Sequence, residues 1–187
     1  MMSNKDQPDS TPSSPRQSAA DALIEEIVKA PVRVERVYVQ HLEAPPEKVF
    51  PTLCPVEEVR WVDGWEPSSV LTVSGRAEPD CVFVTGSGEG ESVWVVTEHD
   101  PENFRLSMVK VIPKIGVTVI RIELEAKTGE DGQPATAAHV AYQRTALGAE
   151  GEGFVASFTE EAYEIFMKRW EEELNHYLRT GENLSSV

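Results

Sequence analysis

Six short runs of β-forming residues, followed by one long amphipathic segment, constrain the fold of this chain more than any other feature. The runs span 69–74, 80–85, 91–98, 103–112, 116–126 and 137–145, and Gly, Pro, Asp or Asn clusters separate them at hairpin spacing. An earlier β-rich stretch, Val32 to Leu42, reads as a first strand and brings the set to about seven. Alternation then assigns faces: Phe104, Leu106 and Met108 oppose Arg105 and Ser107, while Ile120, Ile122 and Leu124 oppose Arg121 and Glu123. Such a sheet has one covered face and one wet face. The cover is predicted in the last segment, where Val155, Phe158, Ala162, Ile165, Phe166, Trp170, Leu174, Tyr177 and Leu178 recur at helical spacing. This predicts a helix of about 24 residues and roughly 36 Å. Ser157 with Glu160 forms a capping-box pattern at its start, and Gly181 is a natural stop.

The rest of the chain is organised around this unit. Residues 3–18 are rich in Ser, Pro, Asp and Gln and offer no large apolar group to bury, so 1–18 reads as a disordered tail. Ala22, Leu23, Ile27 and Val28 predict a short helix over 19–30, ended by Pro31, with one domain over 31–181 and a short tail over 182–187. After the first strand, Pro46 and Pro55 each suit a helix start, which predicts two short helices reaching about Leu53 and Trp61. Asp and Glu outnumber Lys and Arg by 32 to 17, and no basic cluster interrupts the excess. A nucleic-acid or anionic-lipid partner is therefore not expected. No apolar run is long enough to span a bilayer and the start has no apolar signal region, so a cytoplasmic location without integral membrane association is expected. The two cysteines, Cys54 and Cys81, lie outside any CxxC pattern, and Cys54 reads as a packing residue.

Strand, two short helices, antiparallel strands and a long C-terminal helix follow one another in the order of the helix-grip fold. The stretch 44–65, APPEKVFPTLCPVEEVRWVDGW, with its Ala-Pro entry, Glu-Lys-Val-Phe first helix and Trp-containing second helix, resembles the START-like or SRPBCC superfamily. Thr145-Ala-Leu-Gly before Phe154-Val155, followed by TEEAYEIFMKRWEEELNHYL, is similar to bacterial members of that group. The resemblance implies an α+β fold in which a curved antiparallel sheet of about seven strands wraps on the C-terminal helix and leaves a largely apolar cavity between them. It implies binding of a small hydrophobic or amphipathic ligand, such as a lipid, in that cavity. The alternatives are a polyketide cyclase or dehydratase-like enzyme working without metal in the same cavity, and a protein-partner module similar to co-chaperone activators. No cofactor is expected, and a homodimer is left open. The sequence shows no obvious acid–base pair, which favours binding over catalysis.

Under that resemblance the candidate ligand-binding residues are Trp61, Trp65, Trp94, Phe104, Leu106, Met108, Ile120, Ile122, Tyr142, Arg144, Phe158, Ala162 and Phe166. Trp61 and Trp65 flank a turn and read either as cavity walls or as plugs anchoring the helix pair, with plugs favoured. On the last strand either Val140, Tyr142 and Arg144 face inward or His139, Ala141 and Gln143 do; the bulkier first set makes the better wall. An inward Arg144 needs an anionic partner, either a protein carboxylate such as Glu57 or an acidic ligand group. His41, Tyr142 and Arg144 are the candidate catalytic residues for the enzyme alternative. Of the other histidines, His139 sits on the last strand, His99 beside a turn and His176 near a helix end, and none forms a dense ligand pattern, so no metal is expected. The glycine-rich 86–90 precedes a strand rather than a helix and reads as a hairpin loop, not a phosphate cradle.

Overall fold

A computed structural model describes residues 15–184. The chain divides at Pro31–Val32 into two compact units. The first contains helix α1, Pro15–Ile27. Pro15–Ser18, assigned from the sequence to the tail, is thus helical, because a proline opening a helix loses no intrahelical donor. The helix also stops short of the predicted residue 30, ahead of Pro31. The remainder of the expected tail, 1–14, and the last three residues lie outside the described ones.

The second unit is built on one seven-stranded, wholly antiparallel sheet: β1 (Arg33–Leu42), β2 (Pro67–Leu71), β3 (Val82–Thr85), β4 (Ser92–Asp100), β5 (Arg105–Ile112), β6 (Gly116–Thr128) and β7 (Pro134–Ala146). Its order is β1-β7-β6-β5-β4-β3-β2, so the first strand pairs with the last at one edge. Bulges interrupt the register between Val96 and Glu98 and between Pro67 and Ser69. A bulge bends its strand and increases local twist, which helps the sheet to curl.

Between β1 and β2 the two predicted helices shrink. Helix α2 is Pro46–Val49, continued by a 3-10 turn at Phe50–Thr52, and the second helix is only a 3-10 turn at Glu58–Arg60. Pro51 and Pro55 supply no N–H, so the ladder cannot run through them. Two tryptophans hold this region instead: the Trp61 Nε1 donates to the Thr52 carbonyl at 3.1 Å and the Trp65 Nε1 to that of Pro55 at 2.8 Å.

The C-terminal cover is broken into α3 (Glu152–Ala156) and α4 (Glu160–Thr180). Thr159, not Ser157, caps α4, its Oγ1 accepting from the Ala162 N–H at 3.1 Å. Gly181 ends it in the left-handed conformation with φ 75°. Tyr163, Met167 and Leu174 are buried, whereas Ala162 and Ile165 face outward. Four hydrogen bonds pin α4 to the sheet: Gln40 Nε2 to the Met167 carbonyl (3.0 Å), Tyr163 Oη to that of Val140 (2.9 Å), Asn175 Nδ2 to that of His41 (2.9 Å) and the His41 N–H to Glu171 Oε2 (3.2 Å). Among the described residues no helix is long and apolar enough to cross a membrane.

Candidate functional site

A cavity of about 330 Å³ lies between the sheet, α3, α4 and the segment 58–65. Each strand presents alternate residues to it: Trp94 from β4, Met108 and Lys110 from β5, Thr118, Ile120 and Ile122 from β6, and Tyr142 and Arg144 from β7. Glu58, Val62 and Trp65 close one side, and Phe154, Phe166 and Trp170 another. Phe154 reaches the wall because Gly116 leaves room for it: a Cβ there would stand 2.7 Å from the Phe154 ring.

Eight of the sequence candidates therefore border the cavity: Trp65, Trp94, Met108, Ile120, Ile122, Tyr142, Arg144 and Phe166. Five do not. Trp61 is fully buried and packs edge-on against Trp170 with centroids 4.9 Å apart, the plug that the sequence favoured. Phe104 is not on β5 at all. It ends the preceding turn with φ 53°, which swings its ring onto Phe50 at 5.9 Å. Leu106 is sealed in the core, and Ala162 faces outward because it lies about 120° around α4 from the buried Leu174. Phe158 falls in the break between α3 and α4 and is buried behind the wall, against Tyr142 and Tyr163. Phe166 reaches the cavity only at its rim, since 47% of it is exposed, rather than lying flat on the sheet.

Val140, Tyr142 and Arg144 face inward, while His139 is exposed and lies 3.4 Å from Glu125. His41 also points away from the cavity and borders an outer groove with Glu43, Lys48 and Glu171. It shares no chamber with Tyr142 or Arg144. Among the described residues no cluster of three His, Cys, Asp or Glu could hold a metal ion. Glu57 is engaged elsewhere, with Arg60 at 2.8 Å.

The acidic group inside is instead Glu58. Burial pushes its carboxyl up to about 8, so at neutral pH it is a neutral acid and a hydrogen-bond donor. Burial, then the charge of Glu58, also holds the Tyr142 hydroxyl well above the usual phenol range. Lys110 is lowered by burial and then by Arg144, and its Nζ sits 4.7 Å from the centroid of Trp94. Burial likewise lowers Arg144, whose guanidinium lies 3.9 Å from the Phe158 ring centroid and 4.5 Å from that of Phe154. The cavity thus combines aromatic walls, two neutral donors and two cations. Lys110 and Thr118 share parity with Met108 and Ile120, so alternation contained their signal. Glu58 sits in a single turn with no period to reveal it.

This architecture, a seven-stranded antiparallel sheet covered by a long C-terminal helix, is the helix-grip fold expected from the element order. No family model matches the sequence, and no curated protein is similar to it. Solved structures are similar in fold. One is Ara h 8.0201, with TM-score 0.54 and 14% identity over 79% of this chain and 99% of that one. Another is a norcoclaurine synthase point mutant from Thalictrum flavum, bound to a transition-state analogue, with TM-score 0.55 and 9% identity over 82% and 100%. A third is an uncharacterised protein from Rhizobium leguminosarum, with TM-score 0.50 and 12% identity over 81% and 98%.

Proposed function

We propose that this protein binds one small amphipathic molecule in the cavity. The observation that carries this reading is the distribution of its lining: an apolar chamber of about 330 Å³ with Glu58, Tyr142, Lys110 and Arg144 as its charged or ionisable groups. Burial of the ligand's apolar body supplies affinity at about 25 cal/mol per Å², and the polar groups set its orientation. An environment-sensitive hydrophobic dye should bind with a stoichiometry near one and alter tryptophan emission, since Trp65, Trp94 and Trp170 all border the space. The Tyr142→Phe variant should keep most of that affinity, losing around 0.5–1.5 kcal/mol if one neutral hydrogen bond disappears. Absence of saturable binding would overturn the proposal.

One observation favours a cyclase or dehydratase-like activity as a second reading. The sequence showed no acid–base pair, yet Glu58 and Tyr142 both line the cavity, and a carboxyl near 8 matches what proton transfer at neutral pH requires. Under this reading Glu58→Gln should lower turnover of a cyclisable substrate by roughly 100-fold with little change in binding. A variant with unchanged turnover would remove Glu58 from any such mechanism.

A further inference from the structure

Resting on the binding reading above, we propose that the molecule taken into the cavity is an organic acid, whose carboxylate is held by Lys110, Thr118 and Arg144. The sheet register creates this site. Lys110 pairs with Thr118 across β5 and β6, and Thr118 pairs with Arg144 across β6 and β7. Three side chains therefore stand abreast on three neighbouring strands, in a row about 10 Å wide at the usual strand spacing. A hydroxyl sits at the centre with a cation on each side.

The charge environment shows that these cations are set apart. Seven other basic residues, Arg60, Arg105, Arg121, Lys127, Lys168, Arg169 and Arg179, each lie within 3.4 Å of a carboxylate oxygen. Lys110 and Arg144 pair with none among the described residues; six others also pair with none, but Lys29, Arg33, Lys48, Arg76 and Lys114 are exposed and Arg36 borders an outer groove shared with Glu35, Glu160 and Glu164. Aromatic rings face Lys110 and Arg144 instead. Arg144 donates one Nη1 hydrogen bond to the Phe154 carbonyl at 3.3 Å, while its buried Nε has no partner. A half-buried guanidinium fork left partly unsatisfied matches a carboxylate, which can accept from two N–H groups at once. The repulsion between Lys110 and Arg144 would be relieved by the same anion. Glu58, the one carboxyl on the wall, does not oppose it, because burial keeps that group protonated at neutral pH. Trp65, Trp94, Ile120, Phe166 and Trp170 remain to cover the apolar body of the acid.

The test uses the full chain at pH 7 and a matched pair of probes, 1-naphthylacetate and its uncharged isostere 1-naphthylacetamide, titrated calorimetrically beside the hydrophobic dye. The acid should bind roughly 10-fold or more tightly than the amide. In Arg144→Met and in Lys110→Met the acid-to-amide ratio should fall toward one, whereas Arg144→Lys should retain part of the preference. Because the readout is a ratio within one variant, a general loosening of the cavity does not imitate it. Equal binding of acid and amide by the unaltered protein, or dye binding without acid binding, overturns the anion site and leaves the cavity reading standing. A preference that survives in the Lys110→Met/Arg144→Met double variant overturns the assignment to these residues. If the dye fails as well, the cavity reading itself falls.

Discussion

The inner face of the sheet has two ends that use the same strands differently. At one end the register aligns Val140, Ile122 and Leu106, all buried and with only Ile122 reaching the cavity, and Ala138 and Leu124 stand in the next row. Nearby, α4 is tied to β1 through Gln40 and Asn175, and α2 rests on β6 and β7. Four residues along each strand, at the same parity, the row becomes Arg144, Thr118, Lys110 and Trp94, and the cover leaves about 330 Å³ unfilled. Branched aliphatic residues interdigitate and close a core, whereas long cationic side chains resist being packed into one. A single sheet face thus becomes core or cavity according to a few side chains.

Leu106→Ala tests the packed end and should cost about 2–5 kcal/mol in urea unfolding, since the removed atoms leave a closed hole. Met108→Ala, two residues along the same strand, should cost less than about 2 kcal/mol because the space it vacates joins an existing cavity. Equal losses would break the distinction between the two ends.

Glu58 sharpens it through pH. Its carboxyl titrates higher folded than unfolded, so the stability it contributes is complete below about 4.5 and is lost as pH rises through about 8. Relative to Glu58→Gln, the natural protein should lose on the order of 2–3 kcal/mol across that window, the full shift being moderated by water in the cavity. Parallel pH–stability curves for the two proteins would show that Glu58 is solvated rather than enclosed.

Smaller effects should mark the rim and the outside of α4. Phe166→Ala should cost under about 1 kcal/mol, because the side chain is half exposed, yet it should weaken dye binding measurably. Ile165→Lys, on the outward face, should stay within about 0.5 kcal/mol by thermal unfolding. A large loss at Ile165 would mean that another surface covers this face in solution.

The strand series was legible because a half-buried sheet imposes a period of two that survives in residues such as Ile120, Ile122 and Leu124. Pro46 and Gly181 were equally readable, since each limits backbone geometry by its own covalent structure. The phase of α4 was not. Phe158, Ala162 and Phe166 form a row four residues apart that drifts about 40° per step around a helix, so the stripe that stays on the sheet runs through Tyr163, Met167 and Leu174, and Phe158 falls in the break before α4.

From the sequence alone follow the element order, the antiparallel sheet, the inward parity of Met108 and Ile120, and the demand of an inward Arg144 for an anion. These depend on local periodicity and on the chemistry of single residues. Tertiary structure alone decided that Glu57 turns to Arg60 while Glu58 enters the cavity, that His41 faces a different groove, and that Lys110, Thr118 and Arg144 stand in one row. Those outcomes depend on cross-strand register and on the packing of a short turn, which join residues far apart in the chain and leave no period along it.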